Sequence, residues 1–194
     1  MTRHLDPNFQ AEAKGDKARD FGRWAAEWAG ILIAAAIFTV LMRTFVFQTF
    51  FIPSESMENT LLVGDKVIVN KLAYKTGDIH RGDVIVFERP PRETDPNIKD
   101  LIKRVIALPG DRVEAREGEV FVNGQKLDEP YIKDAHSTAG LVNQTVPENE
   151  LLVLGDNRLN SSDGRVFGTI DENLVVGKAS IRYWPLDRIG TLNN

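Results

Sequence analysis

From Trp28 to Ile52 the chain carries one charge, Arg43, and from Ala29 to Met42 it carries none. An α-helix rises about 1.5 Å per residue, so roughly 20 residues cross a bilayer core of ~30 Å. The pattern predicts one transmembrane helix over residues 24–43, with Glu27 near one interface and Arg43 snorkelling at the other. Trp24 and Trp28 would form the aromatic belt of the first interface. Lys14, Lys17, Arg19 and Arg23 precede the span, which places residues 1–23 in the cytoplasm and everything after Arg43 across the membrane. A cleaved secretory leader would need an Ala-x-Ala-like site after the apolar run, but the residues there are bulky: Phe45, Phe47, Phe50 and Phe51. No polar stripe relieves the run, as it would in a core helix lying on a sheet. An uncleaved membrane anchor is the expected reading.

After Thr44 the period changes to two. Strands are expected over Val46–Ile52, Lys66–Asn70, Val84–Glu88 and Leu101–Ala107, then over Arg112–Ala115, Glu119–Val122, Leu151–Leu154 and Lys178–Trp184. Asn123-Gly124 directly after an apolar strand predicts a type I′ hairpin turn. Gly-Asp pairs at Gly64, Gly82, Gly110 and Gly155 stand beside strands at unequal spacing, which suits turns and not a repeat. Arg89–Asp100, with Pro90, Pro91 and Pro96, is an expected loop, and Asp134–Glu150 is polar and without period. No helical pattern follows the span. The fold class expected is mainly β: one N-terminal helix, then an all-β, coiled antiparallel domain over 44–194 that closes on itself to manage its edges.

Three polar features interrupt this framework. Ser54 and Ser56 follow Pro53, where the chain leaves a strand for a turn, and a serine there either satisfies turn hydrogen bonds or projects its hydroxyl into a cleft. Lys103 sits inside Leu101-Ile102-Lys103-Arg104-Val105-Ile106, on one strand face with Leu101 and Val105. It is either a snorkelling edge lysine or a buried one. At an ordinary pKa near 10.4, about one lysine in 2,500 is neutral at pH 7. Burial that lowers the pKa to about 8 disfavours the charged form by roughly 3 kcal/mol and makes a general base. Gly155–Arg165, rich in turn formers and paired charges, is either an ordinary surface loop with an Asp–Arg pair or a structured polar support.

Composition narrows the chemistry. With 194 residues and 42% hydrophobic content the chain can bury one core and still supply one span. A net charge of −4 without a basic cluster argues against nucleic acid as a partner. The absence of cysteine excludes thiol catalysis and cysteine metal sites. Of the histidines His4, His80 and His136, only two follow the span, too few for a three-histidine metal centre, so neither a metal nor another cofactor is expected.

Taken together and in order, Ile52-Pro53-Ser54-Glu55-Ser56-Met57 with Thr60–Asp65, Arg81–Phe87, Ile102–Asp111 and Gly155–Arg165 resemble the bacterial type I signal peptidases, the membrane-bound Ser-Lys serine proteases that remove signal peptides from exported proteins. The resemblance runs from the span to about Trp184. It implies Ser56 as nucleophile and Lys103 as general base. Ser54 would assist the oxyanion hole together with the Ser56 N–H, Ser161 would orient the lysine, and Asp163 with Arg165 would prop the site. Ile52, Pro53, Met57, Leu61, Leu101 and Ile102 would line shallow pockets for small side chains. Glu55, Ala107 and Gly164 depart from the family's commoner glycine, glycine and serine. The chain is short for the family, which puts a small non-catalytic β excursion within 112–150. The implied partners are preprotein signal peptides and the lipid bilayer, with a monomer favoured and the catalytic domain on the extracytoplasmic side of the plasma membrane. A self-cleaving repressor of the Ser-Lys type would need a DNA-binding N-terminal domain where this chain has a span. A membrane-tethered binding domain without catalysis is the other alternative.

Overall fold

The computed structural model describes residues 7–132 and 138–192, so His4, His136 and the start of the polar stretch from Asp134 lie outside the described residues. The chain divides into two compact units, 1–44 and 45–194. In the first, the apolar run forms a helix, α1 (Pro7–Phe45). Its stretch Phe21–Phe45 has 25 residues and a mean hydropathy of 2.0, long and apolar enough to cross a membrane. Phe21, Trp24 and Trp28 recur at helical spacing and their rings follow one another at 5.8 and 6.2 Å. Arg43 lies in the last turn, where the helix dipole favours a cation.

The second unit is built from short antiparallel strands. In chain order they are β1 (Phe47–Phe51), β2 (Lys66–Asn70), β3 (Val84–Glu88), β4 (Asp100–Ala107), β5 (Arg112–Arg116) and β6 (Glu119–Val122). There follow β7 (Gln125–Lys126), β8 (Gln144–Thr145), β9 (Glu150–Leu154), β10 (Ile170–Asp171), β11 (Val175–Trp184) and β12 (Gly190–Thr191). The larger sheet runs β1-β2-β11-β3-β4-β9-β10 with β12 on β11; the smaller runs β7-β6-β5-β8. Register shifts in β11 and in β4 mark bulges, which bend and twist the large sheet. The expected class, mainly β with one N-terminal apolar helix and a curled antiparallel sheet, is the one observed.

Alternation on β4 and β9 decides where the core lies. Val105, Leu151 and Val153 point into one apolar cluster with Ile85, Phe87 and Phe167. Ile106, Leu152 and Leu154 point into another, closed by Val113, Val120 and Val122 of the small sheet. Both strands are thus covered on both faces, and that is why they read as nearly continuous apolar runs. A third cluster joins Ile52, Met57 and Leu61 to Val67, Val69, Val84 and Val86. On β1 the alternation turns Phe50 onto that cluster and leaves Phe47 and Phe51 exposed.

The Asn123-Gly124 hairpin is present: Val122 pairs with Gln125, and both turn residues have positive φ, 53° and 80°. Sequence patterning missed the two-residue strands and two single helical turns, α2 (Ala73–Thr76) and α3 (Gly164–Phe167). A four-residue turn is too short to display a helical period.

Candidate active site

Ser56 sits in a 3₁₀ turn, Glu55–Met57, that the chain enters after β1 through Ile52 and Pro53. Ile52 and Met57 are both in the core, at 2% and 0% exposure, so the turn is fixed by a buried side chain at each end. Ser54 is extended at φ −131°, ψ 161°, and its Oγ lies 3.3 Å from Ser56 Oγ.

Lys103 is not an edge lysine. It lies on β4, an interior strand between β3 and β9, and is 3% exposed. Its Nζ lies 2.7 Å from Ser56 Oγ and donates to the Ile102 carbonyl at 3.0 Å. The first contact works in either protonation state, since an ammonium donates to the hydroxyl and a neutral amine accepts from it. Burial lowers the Lys103 pKa from 10.5 to about 8, against the opposing fields of Asp163, Asp156 and Glu93. At that value roughly one amine in ten is neutral at pH 7.

The loop after β9 is a support and not a surface loop. Asp156, Arg158 and Asp163 are 2%, 3% and 0% exposed. Asp156 accepts from Arg104 Nε at 2.9 Å and Nη2 at 2.7 Å, and also from the Thr60 hydroxyl. Arg104 is the neighbour of Lys103 on the opposite face of β4, and the Tyr131 ring stacks 3.9 Å from its guanidinium carbon. Asp163 accepts from the Gly155 N–H at 2.9 Å and from Arg165 Nε and Nη2 at 2.8 and 2.9 Å. Burial pushes the Asp163 carboxyl up, but these donors outweigh it and hold the pKa below the usual carboxylate value. The loop then grips the turn that carries Ser56, with Asn157 N–H donating to the Ser56 carbonyl at 3.1 Å and Asn157 Nδ2 to the Glu55 carbonyl at 3.2 Å.

The structure thus brings together Ser54, Ser56, Lys103, Asp163 and Arg165. Ser161 is brought close as well, since its Oγ and the Ser56 carbonyl both lie against Gly155, but among the described residues its buried Oγ has no hydrogen-bond partner; the contacts of the Lys103 amine are to Ser56 and Ile102. An open cleft of about 610 Å³ lies over the Ser56–Lys103 contact, with Pro53, Leu101 and Ile102 on its wall. Ile52, Met57 and Leu61 are not on that wall; they lie in the core, where Ile102 packs against their cluster. Val63, Ile98, Asp100, Asn160 and Ser162, which sequence reasoning did not single out, complete it. The three departures have local settings. Asn160 Nδ2 donates to the Glu55 carboxylate at 3.0 Å. Ala107 is fully buried beneath the small sheet. At Gly164 a Cβ would stand 2.7 Å from Leu152 Cδ1 and 2.8 Å from the Val153 carbonyl.

A serine hydroxyl touching a buried, deprotonatable lysine under an open cleft has the parts of a nucleophile and its base. Residues 25–184 match the family described as signal peptidase, peptidase S26. The chain belongs to this family. It is 40% identical over 164 residues to a probable signal peptidase I-2 of Synechocystis sp. (strain ATCC 27184 / PCC 6803 / Kazusa), covering 84% of this chain and 75% of that protein. It is 37% identical over 177 residues to signal peptidase IB of Staphylococcus aureus (strain Mu50 / ATCC 700699), covering 82% of this chain and 89% of that protein. A crystal structure of a signal peptidase I from Enterococcus faecalis V583 is similar at 32% identity, with a TM-score of 0.45 over 54% of this chain and 98% of that one. The matched stretch includes every motif box around the cleft. The chain is therefore a serine endopeptidase, and removal of signal peptides is the activity of its family.

Proposed function

We propose that this chain cleaves N-terminal signal peptides from exported preproteins, with Ser56 as nucleophile and Lys103 as general base. The buried 2.7 Å contact between Lys103 Nζ and Ser56 Oγ carries the reading. Neutral Lys103 takes the hydroxyl proton as Oγ bonds to the scissile carbonyl carbon. The Ser56 N–H and the Ser54 hydroxyl stabilise the oxyanion. Collapse breaks the C–N bond, and the Lys103 ammonium returns the proton to the departing amine. Water then enters by the same base to release the acyl-enzyme.

The specificity proposed is for a small residue immediately before the cut and another two positions earlier. Behind Ile102 on the cleft wall the core is filled by Ile52, Met57 and Leu61, which leaves little depth there. A large side chain there displaces the reacting carbonyl, and displacement at the reacting centre is costly. Detergent-solubilised protein should process a preprotein carrying alanine before the cut and almost none of its phenylalanine variant. Equal processing of both would overturn the pocket assignment, and processing of neither would overturn the function.

The N-terminus is proposed to lie in the cytoplasm and the β unit outside, anchored in the plasma membrane by Phe21–Phe45, since Lys14, Lys17, Arg19 and Arg23 precede the most apolar stretch. The β unit has a lipid-compatible surface of its own. Phe51 pairs with Lys66 and Lys66 with Trp184, and Phe51 and Trp184 are 58% and 46% exposed. An aromatic pair flanking a lysine suits the headgroup region. Protease added to spheroplasts should digest the β unit and spare the first residues; protection of the whole β unit would reverse the orientation.

A further inference from the structure

The fields of three carboxylates reach the Lys103 amine, those of Asp163, Asp156 and Glu93. Two of them have arginines of their own: Arg165 Nε lies 2.8 Å from Asp163, and Arg104 Nη2 lies 2.7 Å from Asp156. Glu93 differs. It sits in the connection between β3 and β4, is 7% exposed, and forms no ion pair among the described residues. Its Oε2 accepts from Ser162 Oγ at 2.7 Å, and its Oε1 accepts from the Asp95 N–H at 3.1 Å. Ser162 stands between Ser161 and Asp163 and lines the same cleft as Lys103. A buried carboxylate without a cation is costly unless something near it compensates.

We propose that Glu93 is a positioning residue for Lys103: through Ser162 it latches the β3–β4 connection to the Gly155–Arg165 loop, and of the three carboxylates it is the one that forms no ion pair among the described residues. The two halves of the role are separable. The latch fixes one wall of the cleft against the loop that holds the nucleophile's turn. The charge favours the protonated amine and so opposes the burial that frees the lysine of its proton. The remaining charged groups on the cleft are Glu55, which is exposed, and Asp100, which is half-buried; both stay in place in the variants below.

The proposal rests on Lys103 acting as the base, and the test separates the two. The dependence of kcat/KM on pH is measured for the full chain in detergent with a preprotein substrate, for the wild type, Glu93→Gln, Glu93→Asp and Ser162→Ala. Glutamine matches glutamate in shape; its amide oxygen can keep the Asp95 N–H while its NH2 donates to the Ser162 hydroxyl, so it removes the charge and keeps the latch with that hydrogen bond reversed. Its acid limb should move to lower pH by on the order of half a unit, since a charge acting through partly screened protein is worth about that much. Glu93→Asp keeps the charge and should stay nearer the wild-type midpoint. Ser162→Ala keeps the charge and loses the latch, so it should lower kcat/KM at every pH with little movement of the midpoint. A midpoint unmoved, or raised, in Glu93→Gln overturns the role of Glu93 and leaves Lys103 as base. A wild-type profile with no acid limb overturns both.

Discussion

Ser56→Ala and Lys103→Ala should each abolish hydrolysis, and the double variant should be no worse than either, because nucleophile and base act as one unit. Lys103→Arg should be equally inactive. A guanidinium stays protonated at any pH the fold survives, so a retained positive charge cannot replace a neutral amine. Ser54→Ala should lose only about 10²- to 10³-fold, the range for one oxyanion donor, and so grade the site. In the wild type the active form is the neutral amine, and kcat/KM should climb as pH rises through about 8, where burial has brought Lys103. The sign of the stability effect follows from the same shift. The fold disfavours the ammonium, so its cost is full below about 8 and fades as pH approaches the unfolded value of 10.5. Lys103→Met should therefore stabilise the fold more at about pH 6.5 than at about pH 10, by on the order of 3 kcal/mol at the lower pH, and show it as a higher Tm there. Turnover by Lys103→Arg, or a flat profile between about pH 6 and 10, would remove Lys103 from the role of desolvated base.

How much of this was legible in the sequence depends on the range of the interaction. The strands around the site were readable because each alternates or runs apolar within its own few residues. Lys103 drew notice because a charge interrupts such a run, yet the sequence left edge and interior positions open. What decides between them is the pairing of β4 with β3 and β9, the second of which lies some fifty residues further along the chain. The beginning of β11 was missed at Gly177, which reads as a breaker; a Cβ there would stand 2.4 Å from the Asn70 carbonyl, so the glycine serves a close strand contact. Glu93 left no local signal at all. It lies among prolines and polar residues in an expected loop, and its hydroxyl partner is 69 residues away. Ile52, Met57 and Leu61 show the converse limit. Their apolar character was plain, but whether an apolar side chain faces a cleft or the core behind it is settled only by packing.

Gly155 is where the sequence pattern and the geometry part most sharply, and it yields the second large effect. Among the Gly-Asp pairs, Gly64, Gly82 and Gly110 have φ between 80° and 95°, as turn glycines do, whereas Gly155 has no positive φ and is needed for space. A Cβ on it would fall 2.2 Å from Ser161 Oγ and 2.5 Å from the carbonyl oxygen of Ser56. The Ser161 side chain also meets it with its Cβ, at 2.6 Å, and only the hydroxyl can rotate away. The Ser56 carbonyl is backbone of the nucleophile's own turn, already held by the Asn157 N–H at 3.1 Å, and it cannot retreat without carrying Ser56 Oγ away from Lys103. Gly155→Ala should therefore lower kcat/KM by at least about 10²-fold, the scale set by misplacing a reacting group by about 1 Å. Stability should fall by roughly 1–3 kcal/mol, as overpacking of a tight site does. Adding Ser161→Gly relieves both Ser161 contacts but not the Ser56 carbonyl, so the double variant should regain little activity. Near-wild-type turnover by Gly155→Ala, or full rescue by Ser161→Gly, would show that the Ser56 carbonyl can move freely, and the close packing of this glycine would then have no part in aligning the nucleophile with its base.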